Sequence, residues 1–429
     1  MKTGNCIDMI IENEGLSKVL VAHPFKQHSY RIATALEQTN RLFIYSTTVY
    51  DKPGSFAYKM KRFLPEKYRK LIEKKKSVSI PDMKVRPFCE LMGFGFIVFA
   101  RLPLLRKISR YYGSILIKRF GKNVAKYAIK SNVNAVVMYD TTADSCFRYL
   151  KKHAPNIRRI LDVSSNASMD RLKLYRSLEN HKELHKEFGY LWNKGFQKRN
   201  MKEIENTDFF LVPSRFSEKS LLNQGVSSMS IIRIPYGVDC SSFNYVPREN
   251  KKDDVINLVY TGVISYEKGV NYLLQAVSEM PSDHFTIDLM GVYSKDSTIY
   301  KTFSKYDNIH FRGYVSHKEL ALIYEKADAF FMASLGEGFT LSGLEAMACG
   351  LPVVCSENSG INDVIKDYKN GMVFEICNVP TIKEKMQWLY DNRSVLPLLS
   401  KNAHETSLNF TWESYYSKVN EAFNTILAK

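Results

Sequence analysis

The chain has 429 residues, 45% hydrophobic and 24% charged. This is a globular composition, which argues against disorder, and the length is too great for one ordinary core. Seven scattered cysteines (Cys6, Cys89, Cys146, Cys240, Cys349, Cys355, Cys377) include no C-x-x-C pair, so they form no zinc or redox motif and read as reduced intracellular thiols. Acidic residues Asp8, Glu12 and Glu14 within Met1–Leu16 argue against a cleaved secretory signal. The longest apolar run, Leu91–Ala100, stops at Arg101, well short of the roughly 20 residues a membrane span needs. The expectation is therefore a cytoplasmic protein, soluble or peripheral on the inner face of the plasma membrane. Net charge is +17 but unevenly spread: residues 1–235 carry 43 basic and 20 acidic residues, residues 236–429 carry 18 and 24. Such polarity implies that the first half faces something anionic: membrane lipid, an acidic acceptor or nucleic acid. The plainer reading is a solvated basic surface.

In chain order, apolar runs alternate with amphipathic stretches, the pattern of an α/β chain with mostly parallel strands. Lys18–Pro24 reads as a buried strand, Ser29–Gln38 as a helix and Arg41–Tyr50 as β-rich. Tyr58–Lys130 is basic and aromatic. Within it Phe94, Phe96, Ile97, Phe99, Leu104 and Leu105 neighbour Arg101, Arg106, Lys107 and Arg110, which suggests helices with one apolar and one basic face. Ala135–Tyr139, Arg159–Val163 and Asp208–Val212 read as strands, with a helix around Ser145–His153. Proline and glycine punctuate Ile234–Asp239, and polar Pro247–Asp254 follows, marking a hinge where the charge also changes sign. Beyond it the expected elements are strands at Ile256–Thr261, Phe285–Met290, Ala329–Met332 and Pro352–Cys355. Helices are expected at Gly269–Glu279, after a capping box at Ser316–Glu319, and at Trp412–Leu427.

The chemistry concentrates in Ser334–Pro352, SLGEGFTLSGLEAMACGLP, which follows a strand and opens a helix. Gly336, Gly338 and Gly343 keep the backbone open to a ligand. The amides of Phe339, Thr340 and Leu341 fall at the helix N-terminus, where unpaired N–H groups and the positive dipole suit a phosphate or sugar oxygens. Glu337 precedes the helix and Glu345 lies on it, eight residues on, or about 12 Å if all were helical. That is the reach of a nucleotide sugar from ribose to hexose, so one carboxylate can accept ribose hydroxyls while the other meets the sugar.

Glu337–Glu345 followed by Ala346–Val354 closely resembles the two-glutamate signature of family 4 retaining glycosyltransferases of the GT-B fold. Val212–Phe216, Ile234–Asp239, Gly262 with Glu267-Lys268-Gly269, and Gly313-Tyr314-Val315 resemble further markers of that family, in the same order, over residues 208–380. The resemblance implies two Rossmann-like domains with parallel sheets facing across a cleft. These would be an acceptor-binding domain at residues 1–236, a nucleotide-sugar-binding domain at 237–408, and a C-terminal helix at 409–429 returning to the first. It implies bacterial-type glycan or lipid-linked saccharide biosynthesis, with a nucleoside-diphosphate-sugar as co-substrate, no cofactor, and retention of anomeric configuration. In this reading Glu345 holds the ribose and Glu337 meets the donor hexose. Lys268 neutralises the diphosphate, and Gly262, Gly338, Phe339, Thr340 and Leu341 line the donor site. With no Asp-x-Asp triplet and no His/Cys cluster of ligand spacing, a metal-independent enzyme is expected.

The chain departs from the family pattern twice. Val263 stands where the family often has an arginine, leaving Arg215 and Lys219 as other cations by chain order. Ser164, Ser165 and Asn166 stand where the family often has a histidine, leaving His23 and His28 as candidates for the acceptor cleft. The alternatives are a nucleotide-sugar epimerase of related fold and a donor-binding protein without turnover. A nucleic-acid partner is not expected, because its signature motifs are absent.

Overall fold

A computed structural model describes residues 17–25, 28–102, 106–248 and 255–428. The Met1–Leu16 stretch, Leu104, Leu105 and residues 249–254 of the polar linker lie outside the described residues, as do the side chains of Arg106, Lys107 and Arg110. The strands in chain order are β1 (Val19–Ala22), β2 (Leu42–Thr47), β3 (Val85–Pro87), β4 (Ala135–Tyr139), β5 (Arg158–Asp162), β6 (Phe209–Val212) and β7 (Ile231–Arg233). After the hinge come β8 (Ile256–Thr261), β9 (Phe285–Met290), β10 (Ile309–Gly313), β11 (Ala329–Met332), β12 (Val353–Ser356) and β13 (Gly371–Phe374). They form a seven-stranded sheet in the order β3-β2-β1-β4-β5-β6-β7 and a six-stranded sheet in the order β10-β9-β8-β11-β12-β13. Pairing is parallel from β3 through β6 and throughout the second sheet. Both orders are those of doubly wound, Rossmann-like folds, the architecture the sequence implies.

The expected central strands fall within a residue or two of their predicted bounds, except that the β-rich stretch Arg41–Tyr50 is a strand only as far as Thr47, and Ser29–Gln38 is helical over the same residues. The strands that the apolar pattern leaves out, β3, β7, β10 and β13, are the four sheet edges. An edge strand needs less apolar surface than a central one. β3 contains Arg86 and Pro87, β10 contains His310 and Arg312, and β7 has no buried residue.

The chain divides into two compact units. The first comprises the residues up to Asp162 together with Lys198–Leu211 and the chain from Tyr416 onward; the second comprises Val163–Gln197 and Val212–Tyr415. In the first, β1 and β4 are buried at every position, as apolar runs flanked by helices should be. The helix Trp412–Ala428 contributes Val419, Phe423 and Ile426 to this core, all fully buried. Polar contacts fix its orientation. Arg31 donates to the Tyr416 hydroxyl at 2.8 Å, Thr39 to Asn420 Oδ1 at 2.9 Å, and the Asn420 amide to the Ala35 carbonyl at 3.0 Å. Glu203, fully buried, accepts from the backbone N–H of Thr141 at 2.8 Å and Ala143 at 2.6 Å, covering the start of the Asp144–His153 helix.

The basic stretch of this unit folds as helices Phe56–Lys61, Glu66–Glu73, Glu90–Phe99 and Arg106–Lys130. Gly93 lets the third of these lie directly on Thr48, which a Cβ at that position would overlap. No described helix is long and apolar enough to cross a membrane.

Truncating the anchor of the terminal helix tests this packing. Phe423→Ala is expected to destabilise the first unit by about 3–5 kcal/mol, read by urea unfolding. A change under about 1 kcal/mol would mean that the helix adds little to that core.

Candidate functional site

The second sheet reverses its winding between β8 and β11, and the strand ends at such a point form a ligand-binding crevice. Gly262 follows β8, and the Ser334–Thr340 loop follows β11. Lys268 Nζ lies 2.9 Å from Glu337 Oε1, each side chain one-fifth exposed. Glu337 Oε2 accepts from the Ser334 hydroxyl at 2.9 Å and the Thr340 hydroxyl at 3.2 Å. The Glu337 backbone is pinned as well: its N–H donates to Asn358 and its carbonyl accepts from Gly360. Burial works against the Lys268 ammonium, but Glu337 and then Glu267 outweigh it and hold the pKa above its ordinary value. The lysine is therefore a fixed cation at neutral pH.

Glycine makes this approach feasible. Gly269, at φ +61°, caps the Val270–Ser278 helix, and a Cβ there would overlap the Ala333 carbonyl oxygen. A Cβ at Gly338 would overlap the Ser164 carbonyl.

The helix after the glycine-rich turn runs Leu341–Ala348, so Phe339 and Thr340 lie just before it. Thr340 occupies the N-cap without making a side-chain cap, its hydroxyl being committed to Glu337 and Ser359. The first amides of the helix are thus left to a ligand. Phe339 turns its ring into the core against Tyr236, centroids 5.9 Å apart, so only its backbone is available. Ser342 donates to the Thr261 carbonyl at 3.2 Å and Tyr324 to the Thr261 hydroxyl at 2.9 Å, tying the helix start to the end of β8. Glu345 is partly buried, and among the described residues nothing donates a hydrogen bond to its carboxylate. Burial raises its pKa, partly offset by the charge of His317.

Sequence reasoning missed the residues that brace the lysine loop. Tyr175 donates to Glu267 at 2.9 Å, Arg171 approaches Glu267 at 3.8 Å, and Glu187 accepts from the backbone N–H of Tyr266 at 3.1 Å and of Glu267 at 3.3 Å. All three come from residues 163–197, which pack in this unit although they lie far back in the chain. No motif marks them. The only available signal was Glu267 itself, an acid beside a lysine that has to stay charged.

Arg215 and Lys219 are exposed, and neither touches Lys268 or Glu337 among the described contacts. Val263 is 55% exposed. In the first unit, His23 and His28 both follow β1, and each ring packs edge-on against Tyr139. His23 is buried, with Nδ1 accepting from the Phe25 backbone N–H at 2.9 Å; His28 Nε2 lies 3.3 Å from Asp162 at the end of β5. No group of three His, Cys, Asp or Glu side chains among the described residues is arranged to hold a metal ion.

Residues 242–406 match the family model of the glycosyl transferases group 1. Over 235 residues the chain is 29% identical to the sulfoquinovosyl transferase SQD2 of Arabidopsis thaliana, covering 51% of this chain and 45% of that protein. The chain spans about half the length of the curated relatives it matches first. Sucrose-phosphate synthase from Thermosynechococcus elongatus superposes with a TM-score of 0.67 at 16% identity, over 96% of this chain and 99% of that one. Anabaena Alr3699/HepE in complex with UDP gives 0.63 at 13% identity, over 95% and 100%. At these identities the likeness is one of fold.

The lysine loop gives a direct test. Gly269→Ala forces a Cβ into a left-handed residue against a carbonyl, so it is expected to cost about 1–3 kcal/mol of stability, read as a lowered melting temperature. An unchanged melting temperature would mean that the loop has room the geometry denies it.

Proposed function

We propose, from the match of residues 242–406 to the family model of the glycosyl transferases group 1, that the chain moves a sugar from a nucleoside-diphosphate-sugar to a glycan or lipid-linked acceptor with retention of anomeric configuration. The observation that carries this reading is the Lys268–Glu337 pair at 2.9 Å beside an uncapped helix start, with Glu345 four residues into that helix. In the reaction the bond from the anomeric carbon to the diphosphate oxygen breaks and a bond to the acceptor oxygen forms. The acceptor proton passes to the departing diphosphate. Charge grows on the leaving group, so Lys268 and the amides of Leu341 and its neighbours stabilise the transition state more than the bound donor. Glu337, its second oxygen already held by Ser334 and Thr340, offers a rigid acceptor to the donor hexose. Glu345, whose carboxylate has no donor among the described residues, accepts the ribose hydroxyls.

This chemistry asks for no metal. The first unit is the acceptor side in this reading. Its surplus of cations, together with the apolar residues of the Glu90–Phe99 helix, suits reversible adsorption to an anionic bilayer in which lipid-linked acceptors diffuse.

A thermal-shift screen of nucleotide sugars identifies the donor, because the bound state is stabilised by mass action. UDP-sugars come first in that screen, since the Anabaena neighbour holds UDP. With that donor, Glu345→Ala is expected to weaken binding by about 1.5–3 kcal/mol while the protein stays folded, measured calorimetrically. Because the ionised carboxylate is the acceptor, affinity of the unmodified protein should fall as pH drops, starting above the range of an ordinary glutamate. Unchanged affinity in the variant removes Glu345 from the ribose.

Lys268→Ala and Glu337→Gln are expected to lower kcat at least tenfold, a larger effect than on stability, and turnover of the unaltered enzyme should persist in EDTA. Full turnover in either variant excludes that residue from the reaction. Loss of activity in EDTA, restored by Mn²⁺ or Mg²⁺, overturns the metal-free mechanism. Membrane adsorption is read by sedimentation: the protein should pellet with vesicles rich in anionic lipid, less so at high salt, and hardly with neutral ones.

A further inference from the structure

The helix Arg106–Lys130 holds one side inward and presents the other to solvent. Leu116, Phe120, Val124 and Ala128 bury the inner side, and a Cβ at Gly121 would overlap the Ser145 hydroxyl of the Asp144–His153 helix, so the helix cannot turn about its axis. The outer side is one stripe at helical spacing: Ile108, Tyr111 and Ile115, then Lys118, Lys122 and Lys126, all exposed. The sequence suggests one apolar and one basic face, but on this helix the two chemistries follow each other along a single face. Phe99 packs edge-on against Tyr112, centroids 5.2 Å apart, and Val98 and Leu102 stand exposed where the two helices join, at the apolar end. No acidic residue occurs between Glu90 and Asp140. Among the described residues none of the three lysines forms an ion pair.

The seven residues from Ile108 to Ile115 cover about 10 Å of helix, and the eight from Lys118 to Lys126 about 12 Å. A helix at a membrane surface sinks its apolar part roughly 5–10 Å into the boundary between headgroups and acyl chains. A stripe graded along the axis matches that boundary when the helix enters by its apolar end and tilted, since a helix lying flat would hold both halves at one depth. A soluble acidic polymer would answer the lysines and leave Ile108, Tyr111 and Ile115 wet, and a neutral membrane would leave the lysines unanswered. We propose that this stripe docks the first unit on an anionic lipid bilayer, with the Ile108–Ile115 turns inserted and Lys118, Lys122 and Lys126 against the lipid phosphates. The proposal rests on the membrane reading given above and deepens it. Adsorption needs only diffuse charge, whereas the stripe sets one face and one tilt.

The test is sedimentation of the full chain with vesicles of equal phosphatidylglycerol and phosphatidylcholine. The triple variant Ile108→Ser, Tyr111→Ser, Ile115→Ser should raise the lipid concentration for half-pelleting at least tenfold, and so should Lys118→Glu, Lys122→Glu, Lys126→Glu. All six positions are exposed, so both variants should keep the melting temperature. The control Lys151→Glu, Lys152→Glu, Lys198→Glu reverses three exposed cations of the same unit away from the stripe and should change half-pelleting less than threefold. Depth is read by fluorescence: lipids brominated along the acyl chain should quench the tryptophan of Ile115→Trp and spare that of Lys126→Trp. This pair decides the matter if the serine variant does not fold. Equal weakening by the two charge-reversed triples, full pelleting of the serine variant or equal quenching at the two positions overturns the stripe and leaves the membrane reading standing. An unmodified protein that never pellets with these vesicles removes the membrane reading and the stripe with it. A dimer of the unmodified protein that the serine variant turns into a monomer assigns the stripe to a second copy of the chain and also overturns the proposal.

Discussion

The geometry of the candidate site depends on keeping one ammonium group charged inside the protein. Taking a lysine out of water is costly, and without a partner its proton would leave. Glu337 supplies the opposing charge at 2.9 Å, and Glu267 adds a second. A pair at this distance requires two loops, one after β8 and one after β11, to meet with little side-chain bulk between them. Gly269 against Ala333 and Gly338 against Ser164 are where that space is made. Ser334 and Thr340 then occupy the other oxygen of Glu337, so the carboxylate cannot rotate away from the lysine.

The same constraint explains the residues that brace the loop. Glu267 is useful to Lys268 only if its own charge is fixed, and Tyr175 and Arg171 fix it. Glu187 takes two backbone N–H groups of the loop that would otherwise look for water. The Thr340 hydroxyl, spent on Glu337 and Ser359, leaves the Leu341–Ala348 helix without a side-chain cap. One set of polar groups thus prepares both the cation and the helix end that suit a diphosphate, and neither has to reorganise when a ligand arrives.

The first unit solves a different problem with the same fold. Its central strands are buried and its terminal helix is keyed by Arg31, Thr39 and Asn420, leaving the helices of residues 52–130 peripheral to the sheet. Residues 52–130 carry a net charge of +17, equal to that of the whole chain, beside exposed apolar side chains such as Phe63 and Leu91. Like charges spread over a surface destabilise it unless something negative is near.

The sequence by itself determined the central strands, because a strand buried on both faces must be apolar along its length and β1, β4 and β11 are. It also determined the glycine-rich turn and the two glutamates, since a local motif of loop followed by helix needs no distant partner to be read. The edge strands were not legible, because an edge can carry Arg86, Pro87 or His310 without loss. Nor was the grouping of residues 163–197 with the second unit, nor the bracing of the Tyr266–Glu267 loop by Arg171, Tyr175 and Glu187. Those follow from contacts between residues some 80 to 100 positions apart, and periodicity reports only what a residue does within its own element. The exposed stripe of the Arg106–Lys130 helix belongs to the same class. The helix announces its apolar and basic residues, but only its packing decides which are covered and which are left outside.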